Sequence, residues 1–569
     1  MASIVGKKQG NRTYYYLVES ARVGGKPRIV SQRYLGPAEE VIARLSGSGT
    51  GEPDRSRHLA FGDVAAVWGM LERLRVADIV DAVVGARRSD AAASVGTYIA
   101  LATLNRVVDP CSKLAFAEWW GRTAGDRWCR LPAAALDHRR FWEAMDAIDE
   151  SQLAEIERRV VAAMVEAFGL DLSGLVLHMT NFATWIDSAN TRAPIAQRGH
   201  SKQKRSDLRL VGLGLVVSTD GGVPLVSHAY AGNRPDVTQF PALLAELVGR
   251  FAVVSGRDVS GAADALTLVY DAGQNSEDNY EALDDTSLHF VGSLPPSDHP
   301  DLLAVPKRRY RSVDPDRFPG LTAFEATKIV FGAQRRLVVC HSENLHEKQS
   351  AGFDQTLAKA CRSLGALRDR LERGRTRKTR DQVEAEIAAI VKPRWCSRVI
   401  TTTLVGDAPP DLRLSFTVNK SARAELETEL FGKRILFSDK GPEAADTATI
   451  VADYRSQQAV EADFRQMKDP KVVSFSPMFH WTDQKIRVHV FYCVLALMVA
   501  RLMLREAEHA GLHLSVRELL DTLAGIQETV LIYQGERGRP RARRMLTETN
   551  PTARRLYDLF SLDTYAPKR

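Results

Sequence analysis

The sequence predicts an α/β protein with a helical region ahead of its sheet and an α+β segment inserted into it. Three observations carry that reading. From about residue 60 to 170 apolar residues recur at helical spacing, as in "DVAAVWGMLERLRVADIVDAVV" and "SQLAEIERRVVAAMVEAFG". From 174 onward short apolar runs bounded by turn residues alternate with helical segments. Between 306 and 445 a long charged helical stretch and further strands interrupt that alternation. A chain of 569 residues is also too long for one core.

The elements follow in order. Residues 12–35 alternate around a Gly-Gly turn and read as a small β unit. "SGSGTGEPDRSRH" (46–58) has linker composition; it lacks the Lys-Ser/Thr ending of a phosphate loop, which argues against an ATPase. The strand 174–182 is followed by a hairpin, 208–218 and 223–230 around "TDGG". A helix from 235 to 251, a strand at 265–271, a helix capped by Ser276 and a strand at 288–295 complete the run. Three meandering strands ahead of helix-connected parallel ones is the order of an RNase H-like architecture. After the insertion, a long helix is expected over 447–468, an apolar helix over 486–504 and a helical, basic tail.

Composition narrows the class. The net charge of +7 is mild, but it is clustered in "RGHSKQKR", "PKRRYR", "RGRTRKTR" and "ERGRPRARR", which points to a polyanionic partner. The six cysteines form no CxxC pair, so neither a zinc site nor a disulfide framework is indicated and a reducing cytoplasm is expected. The start "MASIVGKKQG" is not a signal peptide. The longest apolar run, eleven residues at 490–500, is followed by Arg501; it is too short to span a bilayer and suits a buried helix.

Chemistry should collect at the carboxyl ends of the strands. Asp271 stands there, after "LTLVY". On its own it could be an ordinary turn aspartate. Downstream, Tyr454, Gln457, Glu461, Arg465 and Lys468 fall on one helical stripe, beside an apolar stripe of Val460, Phe464 and Met467 that would dock the helix. A solvated, ion-paired face is the alternative. The strand "LVLHMTNF" places an imidazole, His178, among apolar residues: a core histidine, a metal ligand or a stand-in for another residue type.

Together "TNFATWIDS…APIAQRGHSKQKRSDLRLVGLGLVVS", "YDAGQNS", the Tyr-x₂-Gln-x₃-Glu-x₆-Lys spacing and "SFSPMFHWTDQKIRVHVFYCVLAL" resemble DDE transposases of the insertion-sequence-four superfamily, over essentially the whole chain. The resemblance implies an RNase H-like catalytic core, transposon terminal repeats and target DNA as substrates, two divalent ions (Mg²⁺ or Mn²⁺), a homodimer on DNA and no membrane. It implies the segments 1–45 (β unit), 46–58 (linker), 59–170 (helical DNA-binding region), 171–305 and 446–510 (core), 306–445 (α+β insertion) and 511–569 (helical basic tail). Asp271 and Glu461 take the second and third acidic positions, as metal ligands. Tyr454 and Lys468 match the phosphate-contacting residues. Gln457 replaces the signature arginine, with Arg455 or Arg465 nearby but off the matching spacing.

The first acidic position falls on His178. An imidazole offers one nitrogen and no negative charge, so it cannot bridge two Mg²⁺ ions as a carboxylate does. A loss of several kcal/mol in the transition state corresponds to a rate lower by roughly 10³ or more. The expected activity is DNA cleavage and strand transfer, impaired by His178; the alternative is a protein that binds transposon ends without cutting. Asp187, and less so Asp207 and Asp220, are possible rescue ligands. Arg198, Lys202, Lys204 and Arg205 could track phosphates. Trp395 could stack on an unpaired base or be structural, and His228, His480 and His489 show no metal-ligand spacing.

Overall fold

The computed structural model describes residues 2–10, 12–46, 52–85, 91–201, 205, 207–255, 266–374, 377–533 and 541–568. They form a mixed α/β protein of two compact units. One unit holds Met1–Ala66, Ala117–Arg130 and Glu518–Arg569; the other holds Val67–Phe116 and Leu131–Arg517.

In the first unit Ala2–Gln9, Arg12–Val23 and Lys26–Pro37 make an antiparallel meander. The expected linker and tail differ from the structure here. Arg55–Ala60 is a strand, and it pairs with Gln527–Tyr533, which also pairs with Arg541–Leu546. "QETVLIY" is rich in β-branched and aromatic residues, as strands are. Its partner lies hundreds of residues upstream, so local periodicity could not reveal the pairing. Glu528 on that strand is fully buried and is held by Arg127 at 2.6 Å and by Arg544.

The second unit is built on a nine-stranded sheet. Its strands are β1 (Gly174–Thr184), β2 (Arg209–Ser218), β3 (Pro224–Ala231), β4 (Thr267–Val269), β5 (His289–Leu294), β6 (Arg311–Ser312), β7 (Leu321–Val330) and β8 (Ala333–Ser342). After them come β9 (Ile400–Val405), β10 (Arg413–Val418) and β11 (Lys433–Ser438). The order across the sheet is β6-β7-β8-β11-β5-β4-β1-β2-β3. β1, β2 and β3 run antiparallel, whereas β4 is parallel to β1 and β5 parallel to β4. β1 and β2 are buried along nearly their whole length, as expected of strands covered on both faces.

The insertion is therefore less separate than its sequence suggests. β6, β7, β8 and β11 extend the main sheet through the antiparallel pair β5–β11. Only the ribbon β9–β10 and the helices Glu343–Glu372, Arg380–Val391 and Lys420–Leu430 gather around a core of their own, with Leu364, Leu371, Val383, Leu426 and Phe431 inside it. The charged stretch at 355–391 divides after Glu372, where Gly374 takes a positive φ of 64°.

The apolar helix runs from Asp483 to His509, 27 residues, longer than expected. By length and composition it would cross a membrane, but 89% of its apolar window is buried inside the protein. Each fully buried leucine or phenylalanine contributes about 1.5–3 kcal/mol, which makes this helix a principal source of stability. It also carries a buried imidazole. His480 Nε2 and His489 Nδ1 lie 3.1 Å apart, His489 Nε2 is 2.8 Å from the Phe475 carbonyl, and the Tyr492 hydroxyl reaches His489 Nδ1. Burial, with Lys113 and Arg106 close by, lowers His480 to about 3, and burial also holds His489 well below its ordinary value. The unfolded chain binds protons on both rings below pH about 6.5, whereas the folded chain does not. Stability should thus fall as pH drops below about 6.5, by about 1.4 kcal/mol per pH unit for each ring. Thermal unfolding between pH 7 and 5 checks this, and His480→Gln should remove about half of that slope.

Candidate active site

The parallel pairing fixes which residues meet. Val176 on β1 is opposite Val269 on β4. Two residues further along each strand stand His178 and Asp271. The backbone at Asp271 is still extended, with φ −96° and ψ 166°, so the alternation of side chains carries through. His178 and Asp271 are therefore side by side on neighbouring strands, on the same face. Both are half-buried. The Asp271 carboxylate also accepts from the Gly273 N–H, which opens the turn that follows.

Glu461 arrives from the other end of the chain. The expected helix 447–468 is two helices, Thr447–Arg455 and Gln457–Met467, joined at Ser456. Lys468 Nζ donates to Thr180 Oγ1 on β1 at 2.9 Å, and the Phe464 ring lies 5.6 Å from the His178 ring. At the far end Tyr454 donates its hydroxyl to Ser293 Oγ on β5 at 2.9 Å. The helix pair thus crosses from β1 to β5, and β4, which leads into Asp271, lies between those strands. Glu461 lies on the helix midway between Tyr454 and Lys468. The electrostatics agree: burial raises the Tyr454 phenol, Arg434 and Ser293 oppose that, and the carboxylates of Asp271 and Glu461 both add to it. Glu461 is exposed.

A cleft of about 390 Å³ opens beside Asp271, lined among others by Ser293, Arg394, Trp395, Arg434 and Tyr454. Arg434 sits 5.0 Å over the Tyr454 ring. Arg394 stacks on Trp395 at 4.3 Å, and Trp395 packs on Phe431 at 5.3 Å. Arg434 and Ser293 escaped the sequence reading. They reach the site through the β5–β11 pairing, in which Ile435 is opposite Leu294, and that contact has no local signal.

Other expected residues stand elsewhere. Gln457 is buried, so the DNA contact expected of this position does not suit it. The helix break turns it toward the core, where a continuous stripe would have left it on the polar face. Arg465 is exposed, and Arg455 packs over the Phe318 ring. Arg205 is committed to Asp207 through two hydrogen bonds of 2.8 and 2.7 Å, which hold that carboxyl down at about 2. Arg198 donates to Ser188 Oγ. Lys202 and Lys204 lie outside the described residues. Asp187 lies beyond the end of β1, where it accepts from the Ala189 N–H, and Asp220 is bound by Arg505.

Among the described residues, no three or more His, Cys, Asp or Glu side chains gather into a group that could hold a metal ion. The donors at this end of the sheet are two carboxylates and one imidazole. Two carboxylates with water suit one hard cation such as Mg²⁺. A second ion sharing a bridging carboxylate does not fit, because the imidazole beside Asp271 supplies no anionic oxygen.

No family model matches the chain, and no curated protein matches it. Among solved structures the chain is similar to a piggyBac transposase in a synaptic complex with hairpin DNA, with a TM-score of 0.36, 9% identity, and coverage of 83% of this chain and 82% of that one.

The helix that carries Glu461 is anchored by a buried ion pair. Asp463 is fully buried and bound by Arg501, itself only 12% exposed, from the core helix. Burial raises the Asp463 carboxyl and the guanidinium opposes it. Asp463→Ala would strand the arginine charge and should cost about 3–5 kcal/mol in urea unfolding. The double variant Asp463→Leu/Arg501→Met should recover most of that loss.

Proposed function

We propose that the chain is a DNA transposase of the insertion-sequence-four type whose cutting step is depressed by His178. The observation that carries this reading is the helix pair bearing Glu461, anchored by Lys468 on β1 and by Tyr454 on β5 and so laid across the end of β4 that leads into Asp271. The sheet supports it: β3-β2-β1-β4-β5, three antiparallel strands followed by two parallel to the first, is the RNase H-like order. The substrates on this reading are terminal-repeat and target DNA, bound by two copies of the chain in the cytoplasm.

Asp271 and Glu461 would hold a divalent cation, Mg²⁺ or Mn²⁺, which when bound polarises a phosphodiester and favours attack by water or a DNA 3′ hydroxyl. Lys468 and Arg434 flank the pair with positive charge suited to strand phosphates. Tyr454 presents a hydroxyl fixed by Ser293. His178 adds no anionic oxygen beside Asp271, and this favours the second reading, an end-binding protein that does not cut.

Nicking of terminal-repeat duplexes with Mg²⁺ or Mn²⁺ tests both readings. His178→Asp should cut faster than the parent by roughly 10³ or more. Adding Asp271→Asn or Glu461→Gln to that variant should abolish the gain, while gel-shift binding of the ends persists in all of them. Equal cutting by the parent and His178→Asp would overturn the role given to His178. No cutting by any variant, with binding intact, would favour the second reading.

A further inference from the structure

A second cavity lies beyond the carboxyl end of β1. Trp185, just after β1, donates its N–H to the Met478 carbonyl, and Asn190 Nδ2 donates to the Trp481 carbonyl. Near these contacts opens a cavity of about 630 Å³, within the range of small-ligand sites. Its lining has two kinds of group. Trp142, Phe479 and Trp481 present large aromatic faces and are 42, 51 and 57% exposed. Arg106, Lys113, Arg192 and Lys485 supply positive charge, and among the described residues no carboxylate lines the cavity.

Some of these cations are already committed. Arg106 donates to the carbonyls of Ser476 and Cys111, and Lys485 is paired with Asp146. Lys113 is different. It is 7% exposed, its Nζ lies 4.5 Å over the Tyr492 ring, and that nitrogen has no hydrogen-bond partner among the described residues. Burial, with Arg106 adding repulsion, lowers its ammonium to about 7. Its positions over the Tyr492 and Phe141 rings offset part of the cost of burying the amine, and no hydrogen-bond acceptor among the described residues offsets the rest. An anion arriving in the cavity would give it a partner.

We infer that this cavity binds a nucleotide of an unpaired DNA strand, its base stacked among Trp142, Phe479 and Trp481 and its phosphate held by Lys113. Flat apolar faces beside cations are the chemistry of single-strand recognition, in which stacking contributes about 1–3 kcal/mol per base. An apolar protein partner would not call for the unpartnered amine. The inference rests on the DNA reading above only for the source of the strand.

The test reads binding alone, without metal ions, so it fails or succeeds independently of cleavage. Tryptophan fluorescence of the full chain is titrated with a ten-residue oligothymidylate, with the same strand in duplex, and with thymidine monophosphate. The single strand should bind tightest. Lys113→Met should weaken it about tenfold while raising the thermal midpoint. Trp481→Ala, at an exposed position, should weaken it similarly with no change in midpoint. The inference is overturned if both variants bind like the parent, if duplex binds as well as single strand, or if the free mononucleotide binds tighter than the oligonucleotide.

Discussion

The parallel pairing of β1 with β4 and of β4 with β5 is the constraint on which the rest depends. Parallel strands need crossover connections, here through the helices Phe240–Ser255 and Glu277–Asp284, and they deliver their carboxyl ends to the same edge. His178 and Asp271 are neighbours only because Val176 faces Val269. A slip of one residue would turn one of them to the opposite face. The buried apolar runs on both strands make such a slip costly, since every side chain would change sides.

Across that edge the glutamate helix is held at several points. Lys468 reaches Thr180 on β1, Phe464 lies against His178, Tyr454 reaches Ser293 on β5, and Asp463 is tied to Arg501 in the core helix. The apolar stripe of Val460, Phe464 and Met467 is buried as its spacing implies. Glu461 itself is left exposed. The helix thus places its carboxylate with apolar packing and a buried ion pair, and none of those contacts uses the carboxylate itself. The exposed carboxylate and the anchoring contacts belong to different side chains of one short helix.

The parts of the fold that local patterns specify were legible. The strand–hairpin–helix–strand run from 174 to 295 has the expected elements, with boundaries shifted by a few residues; the Ser276 cap is present, its hydroxyl accepting from the Asn279 N–H. Asp271 was legible because it follows an apolar strand, and Glu461 because it sits on a patterned helix. Long-range partnerships were not legible. β11 reads as an insertion strand, yet it pairs with β5 and brings Arg434 to the Tyr454 ring. Residues 527–533 look like part of a tail, yet they form the middle of a sheet with Arg55–Ala60. Gln457 fell on the polar stripe by counting, but the stripe crosses a break at Ser456 and the side chain is buried.

His178 stands where folding sets little demand on the charge of the side chain. A third carboxylate beside Asp271 and near Glu461 would gather like charge at one edge of the sheet, tolerable only with cations to offset it. An imidazole adds no negative charge there, and its ring lies against Phe464. Nothing in the strand pairing or the helix docking asks for an acid at this seat, since the backbone ladder of β1 is indifferent to the side chain and Phe464 accepts a flat ring. Strand pairing and helix docking therefore do not decide whether an acid or an imidazole stands at this position. On the proposed function, the cost of an imidazole at this position falls on the reaction, which draws on anionic oxygen around its cation, and not on folding.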